Sequence, residues 1–186
     1  MSCGQYTESA AGRIRVVTSG TRPTGVDRYV GQRIFESDTG RELMYDGAGW
    51  VIMSEPAQTQ TGTIFSGITG GSTTASASYR RQDGYCDFDA VLSFGASPSA
   101  ISGLQYNLPM SAASSANVAV GSLDDFGVQA YPIVPLWGAS AIALWALDAS
   151  VAAGRIGGVS SFFPFSFGNG DVIRIAGRYR MASRYS

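Results

Sequence analysis

The chain has 186 residues and a formal net charge of −1; every one of its 13 basic residues is arginine, and it contains neither lysine nor histidine. Without histidine there is no Ser-His-Asp or Cys-His nucleophile system and no histidine-ligated zinc. Its two cysteines, Cys3 and Cys86, are too few for a four-thiolate metal site or a disulfide framework, and both read as free thiols.

Charged residues make up 15% of the chain, against roughly 25% in an average soluble domain. They are unevenly spread. Residues 57–154 hold two arginines (Arg80, Arg81) and six acids, net −4, whereas residues 155–186 hold five arginines and one acid, net +4. So sparse a middle block predicts a surface partly covered by other copies of the chain. Near-zero overall charge gives no pull toward nucleic acid or anionic lipid. The N-terminus, MSCGQYTESAAGR, lacks the apolar core of a secretory signal. The apolar stretch 139–153 is interrupted by Ser140, Asp148 and Ser150 and falls short of the ~18–20 residues of a membrane span. Neither nucleic acid nor membrane is expected as a partner.

In chain order, residues 1–53 read as an extended lead followed by a small β-meander. Arg13–Val17 is a β-branched run, and Pro23 fixes the chain in an extended turn. Strands are predicted at Arg33–Glu36, Glu42–Tyr45 and Trp50–Met53. The intervening Ser37-Asp38-Thr39-Gly40 and Asp46-Gly47-Ala48-Gly49 are tight-turn compositions, with Asp bonding local backbone and Gly taking positive φ. Strands this short bury little alone, so the meander is expected to need a partner surface. Residues 54–62, SEPAQTQTG, read as a linker.

Residues 63–186 read as an antiparallel β-sandwich of jelly-roll type, built from some eight short strands. In the strand of 84–94, Cys86, Phe88, Ala90, Leu92 and Phe94 share one face and Asp87, Asp89 and Val91 the other. The Gln82-Asp83-Gly84 turn pairs it with 76–81. Leu104, Tyr106 and Leu108 alternate with polar residues, and Asn117–Val120 is a short strand. Val128–Trp137, broken by Pro132 and Pro135, suits an edge strand or bulge. Ser140–Leu147 reads as a buried strand or, with its alanines, a short helix, strand being favoured because no capping signal precedes it; Phe162–Phe167 reads as an aromatic strand around Pro164, and 168–171 as a turn. In the last strand, Val172–Met181, Arg174, Arg178 and Arg180 line up opposite Ile173, Ile175, Tyr179 and Met181.

No constellation predicts catalysis or a cofactor. Asp87/Asp89 share a strand face, Asp124/Asp125 fall in an expected loop, and Glu36/Asp38 read as a surface charge and a turn acceptor; none has the ligand density of a calcium loop. Arg174, Arg178 and Arg180, with Arg184 beyond, suit bidentate interface ion pairs with the acidic middle block. Trp137 and Trp145 are expected in the sandwich core or a subunit interface. Tyr29, Tyr45 and Trp50 either anchor in a partner or stack on a sugar, or else form the meander's own core.

Residues 18–53 also carry a recognisable pattern: Thr21-Arg22-Pro23, Gly31-Gln32, Ile34-Phe35-Glu36, Asp38-Thr39 and Tyr45-Asp46-Gly47 with Trp50. It resembles a segment of bacteriophage virion proteins, among them tail fibres, minor tail proteins and head-decoration or head-fibre proteins. The C-terminal part, closing on GDVIRIAGRYRM, is similar to the trimeric sandwich heads of such proteins. The resemblance implies a non-enzymatic homotrimer on the particle surface. Its N-terminal part would attach to a major capsid or tail protein. Tail fibres of this kind have a long repetitive shaft, absent here; capsid decoration or head projection is therefore expected, with tail-tip recognition of a host surface glycan as the alternative.

Overall fold

The computed structural model describes residues 14–113, 117–149 and 154–183. The N-terminal lead up to residue 13, Cys3 and Arg184 lie outside these residues. The described chain is all-β: fourteen strands, two single turns of 3-10 helix at Ser19–Thr21 and Gly25–Asp27, and no α-helix among the described residues.

Four strands form the N-terminal part: β1 Arg15–Val17, β2 Arg33–Glu36, β3 Arg41–Tyr45 and β4 Trp50–Ser54. The last three are the expected meander. β1 adds to it parallel to β2, Val16 lying opposite Phe35. The segment read as a linker is not a free tether. It contains a short strand, β5 (Gln58–Thr59), which pairs with β7 (Thr73–Gln82), and both Glu55 and Gln60 are buried.

The remaining strands are β6 Phe65–Thr69, β8 Tyr85–Phe94, β9 Ala100–Asn107, β10 Val118–Asp125, β11 Gln129–Trp137, β12 Ala141–Asp148, β13 Arg155–Gly158 and β14 Val172–Arg180. All belong to one mixed 14-stranded sheet with the order β1-β2-β3-β4-β7-β8-β14-β10-β11-β12-β9-β6, with β13 beside β12 and β5 beside β7.

That ladder doubles over. Phe88 on β8 and Tyr106 on β9 are far apart in strand order, yet their rings stack at 4.9 Å. The fold-over runs through β11. Its first residues, to Pro132, pair with β10, and from Ile133 onward it pairs with β12. Each half is therefore the edge of a different sheet, which explains how one strand tolerates both Pro132 and Pro135. We call the β7-β8-β14-β10 side the front sheet and the β12-β9-β6 side, with β13, the back sheet.

Between them lies the main core. The alternation expected in β8 and β14 places Cys86, Phe88, Ala90, Leu92 and Phe94 against Ile173, Ile175 and Tyr179. Ile142, Leu144 and Ala146 of β12, with Leu104 and Tyr106 of β9, face them from the back sheet. Tyr179 donates to the Met110 carbonyl (2.9 Å) and Tyr106 to Gln60 Oε1 (2.8 Å), so the buried hydroxyls are satisfied. Two expectations fail here. Asp124 and Asp125 are the last residues of β10, not a loop. Phe162–Phe167 is not a strand, because Pro164 has no N–H for a ladder and a tight turn links Ser160 to Phe163. Phe163 and Phe167 nonetheless reach the core, and Phe165 stacks on Tyr131 at 5.2 Å; Phe162 is exposed.

The meander has a separate core of Val17, Ile34, Leu43, Tyr45, Trp50 and Ile52. An ionic clamp joins the two cores. Glu55 is fully buried, and its Oε1 accepts from Arg81 Nε (2.6 Å) and the Arg81 backbone N–H (3.2 Å). Its Oε2 accepts from Arg81 Nη2 (2.7 Å) and Arg41 Nε (3.1 Å). The clamp thus spans β3, the strand-linking segment and β7. Burial pulls the Arg81 pKa down, but the Glu55 hydrogen bonds and charge outweigh it and leave it raised. A second buried carboxylate, Glu36, pairs with Arg22 and accepts from Thr39 (2.7 Å); it is not the surface charge its turn position suggests.

Removing one member of a buried charge cluster strands the others. Glu55→Gln is expected to cost about 3 kcal/mol in denaturant unfolding. Glu42→Gln, which breaks only the half-exposed 3.3 Å pair with Arg33, should cost under ~1 kcal/mol. Equal losses would contradict the clamp. A second expectation concerns alkali. Burial pushes the Cys86 thiol from 9.0 up to about 11, and burial also raises the Tyr106 and Tyr179 hydroxyls. Above pH 9 the unfolded chain loses protons that the native chain still holds. Stability should be flat from pH 7 to 9 and fall between pH 9 and 11, with a shallower fall in Cys86→Ala.

Candidate interaction surfaces

Among the described residues, no group of three or more carboxylates or thiols is placed to hold a metal ion. The candidate functional features are faces of the sheet, and three are distinct.

The first is the outer face of the front sheet. Register places Arg178 opposite Asp87, Ala176 opposite Asp89 and Arg174 opposite Val91. Arg178 Nε is 3.6 Å from Asp87 Oδ1, and Arg80 Nη2 reaches Asp87 Oδ2 at 3.8 Å from the other side. The Arg178 guanidinium also lies 4.7 Å over the Tyr85 ring. Arg174 pairs with Asp124 on β10. So the arginine stripe is real, and its complementary charge comes from the acidic middle block of the same chain. Arg180 is exposed and borders a cleft of about 480 Å³ with Asp83, Gly84 and Met181. Asp89 is exposed, and the Asp87/Asp89 pair is split between an ion-paired and an open carboxylate. Asp125 lies on the other side of β10 from Asp124, and partial burial first, then the neighbouring Asp171 charge, hold its carboxyl above the usual range. Asp171 is itself buried and ties two loops together by accepting the N–H groups of Phe126 (2.9 Å) and Gly168 (2.6 Å).

The second is the meander. The Asp46–Gly49 turn sets Tyr45 opposite Trp50, rings 5.5 Å apart, on the meander's inner face. Both are buried there, and Arg28 covers Tyr45 at 4.7 Å. Neither presents a ring to a partner, and of the three aromatic contact candidates only Tyr29 is exposed. Sequence reasoning missed the opposite face. Ile14, Val16 and Phe35 are exposed on it, with Met44 half-buried beside them. This outer face is mixed: the apolar side chains flank the half-exposed Arg33–Glu42 pair, and they are more than the meander's own core uses. The period-two pattern of 33–36 carried that signal, since Ile34 and Phe35 are both large and point opposite ways.

The third is the outer face of the back sheet. Trp145 is exposed on it, opposite Val134 on one side and Gly158 on the other. Trp137 points the other way. It packs on Phe88 (6.3 Å) and Tyr179 (5.9 Å), half-buried against the core.

Exposed ion pairs contribute little. Arg174→Ala and Arg178→Ala should each change unfolding free energy by less than ~1 kcal/mol, with the difference shrinking further as salt is raised. A loss several times larger would mean that the stripe holds the sheet together. No family model, no curated protein and no solved structure matches this chain.

Proposed function

We propose that this chain is a non-enzymatic bacteriophage virion protein of the particle surface. In this reading the folded-over sheet is a jelly-roll-like antiparallel sandwich that assembles as a homotrimer and projects outward. The meander attaches it to the major capsid protein, and the bound copies stabilise the shell by bridging its subunits. Binding that favours only the assembled state shifts assembly toward it by mass action. Many copies on a lattice multiply a modest single contact.

The observation that carries the attachment step is the second face of the meander, where exposed apolar side chains flank the Arg33–Glu42 pair. Ile14, Val16 and Phe35 stand exposed on a module that has its own core and is joined to the main core by Glu55. Among the described residues β1 is also the end of the ladder, and an end strand is where another strand can add. The pattern in residues 18–53 and the low charge of residues 57–154 support the same reading. A tail-tip receptor binder is the second reading, favoured by the exposure of Tyr29 at the meander surface.

Electron microscopy of purified particles, with this protein labelled, tests the proposal. Label over the shell is expected. Label confined to the tail would replace decoration with receptor binding, and unlabelled particles would overturn both. Val16→Asp combined with Phe35→Arg should lower retention on particles at least tenfold while shifting the melting midpoint by only a few degrees, because Val16 is 66% exposed and Phe35, 38% exposed, lies outside the meander core. Retention unchanged by the pair would move attachment away from this face.

A further inference from the structure

We infer that the outer face of the back sheet is buried against a second copy of this chain. This rests on the self-association proposed above and names the surface that performs it.

Cross-strand register puts Leu136 beside Ala143, Val134 beside Trp145 and Leu147 beside Ile156, all on the side away from the core. Ile142, Leu144 and Ala146, which alternate with them, are buried inside. Yet Leu136 is 45% exposed, Ile156 56% and Trp145 36%. These strands present no Asp, Glu or Arg on this side among the described residues. Arg155, the nearest cation, turns its guanidinium over the Phe163 ring at 4.7 Å. The front sheet's outer face carries Arg80, Arg174 and Arg178 with their carboxylates, and burying it would desolvate them all.

The face also has room beside its largest ring. Gly158 has no side chain, and the Trp145 ring lies beside the space a Cβ there would occupy, 3.8 Å from Nε1. Apolar sheet faces pack on one another about 10 Å apart. Seven residues of strand by four strands, at ~3.3 Å and ~4.8 Å, span roughly 23 Å by 19 Å. Two copies meeting there cover on the order of 1,000 Å², which is the least a stable pair needs. A charged partner finds nothing to pair with on the described residues of this surface, whereas the same face of another copy is apolar and uncharged. Gln105 opposite Ala143 and Asn107 opposite Ala141 supply a neutral polar rim.

Light scattering on the full chain, with Trp145→Glu and Ile156→Lys made separately, tests this. At micromolar concentration the parent should have a multiple of the chain mass and each variant the mass of one chain, with circular dichroism unchanged. A threefold mass agrees with the proposed trimer; a twofold mass supports the surface and replaces the trimer with an isologous pair. A parent of single-chain mass overturns the inference, and so do variants that keep the parent's mass, which would leave self-association standing but move it to another surface. Acrylamide quenching of the unaltered chain is the second readout and needs no variant. Fluorescence should become more quenchable on dilution as Trp145 is uncovered, and quenching independent of dilution counts against the surface. None of these outcomes depends on where labelled particles carry the protein.

Discussion

The fold depends on a carboxylate with nowhere to go but between two guanidinium groups. Glu55 is fully buried at the point where a small sheet with its own core meets a larger one. The ladder itself is thin there: β4 and β7 share the single register pair Ser54–Gln82, supported by the Asp83 N–H on the Met53 carbonyl (3.1 Å). Apolar packing does not weld the two cores. Three charged side chains from three separate segments do, and each satisfies the others' hydrogen bonds. A buried charge cluster of this kind adds modestly to net stability, but it has one geometry in which it is tolerable. That makes it a device for fixing orientation. The meander is held in one pose relative to the larger sheet, which matters if its second face is to meet a partner.

The same separation of roles runs through the larger part. One outer face answers its own charges with charges from the same chain; the other has none to answer. Such a molecule is two-sided: one outer face carries ion pairs beside the exposed Val118 and Val120, and the other carries no charged side chain among the described residues. The arginine-only composition fits the ion-paired face, where Arg178 both pairs with Asp87 and lies over Tyr85, a combination for which a planar guanidinium is suited.

Much of this was legible in the sequence wherever one face of a strand is buried. Period-two alternation located β8 and β14 and assigned their faces, and the Asp/Gly turns located β2, β3 and β4. What alternation cannot reveal is which strand lies beside which. Residues 54–62 look like a tether because Glu55 and Gln60 are polar, and their partners, Arg81 and Tyr106, lie 26 and 46 residues away. Nothing local announces that a glutamate will be buried. The two tryptophans show the limit from the other direction. Strand parity was enough to separate them, because Trp137 is in phase with Ile133, and Trp145 is out of phase with Ile142 and Leu144. Using that rule needs strand boundaries, and β11, with two prolines, is where sequence signals for a boundary are least trustworthy. Phe162–Phe167 failed for the complementary reason: aromatic density imitates a strand, while Pro164 denies it a ladder.

β11 has one more property. Its first half is read by β10 and its second by β12, so a single register serves two sheets. Inserting or deleting one residue before Pro132 would turn Tyr131 outward on one sheet. If the shift propagated, it would also eject Ile133 and Trp137 from the other. A length change inside a strand flips its faces, so β-proteins take most such changes up in their loops. Here the seam transmits them, so variation in length must accumulate in the loops and spare this strand.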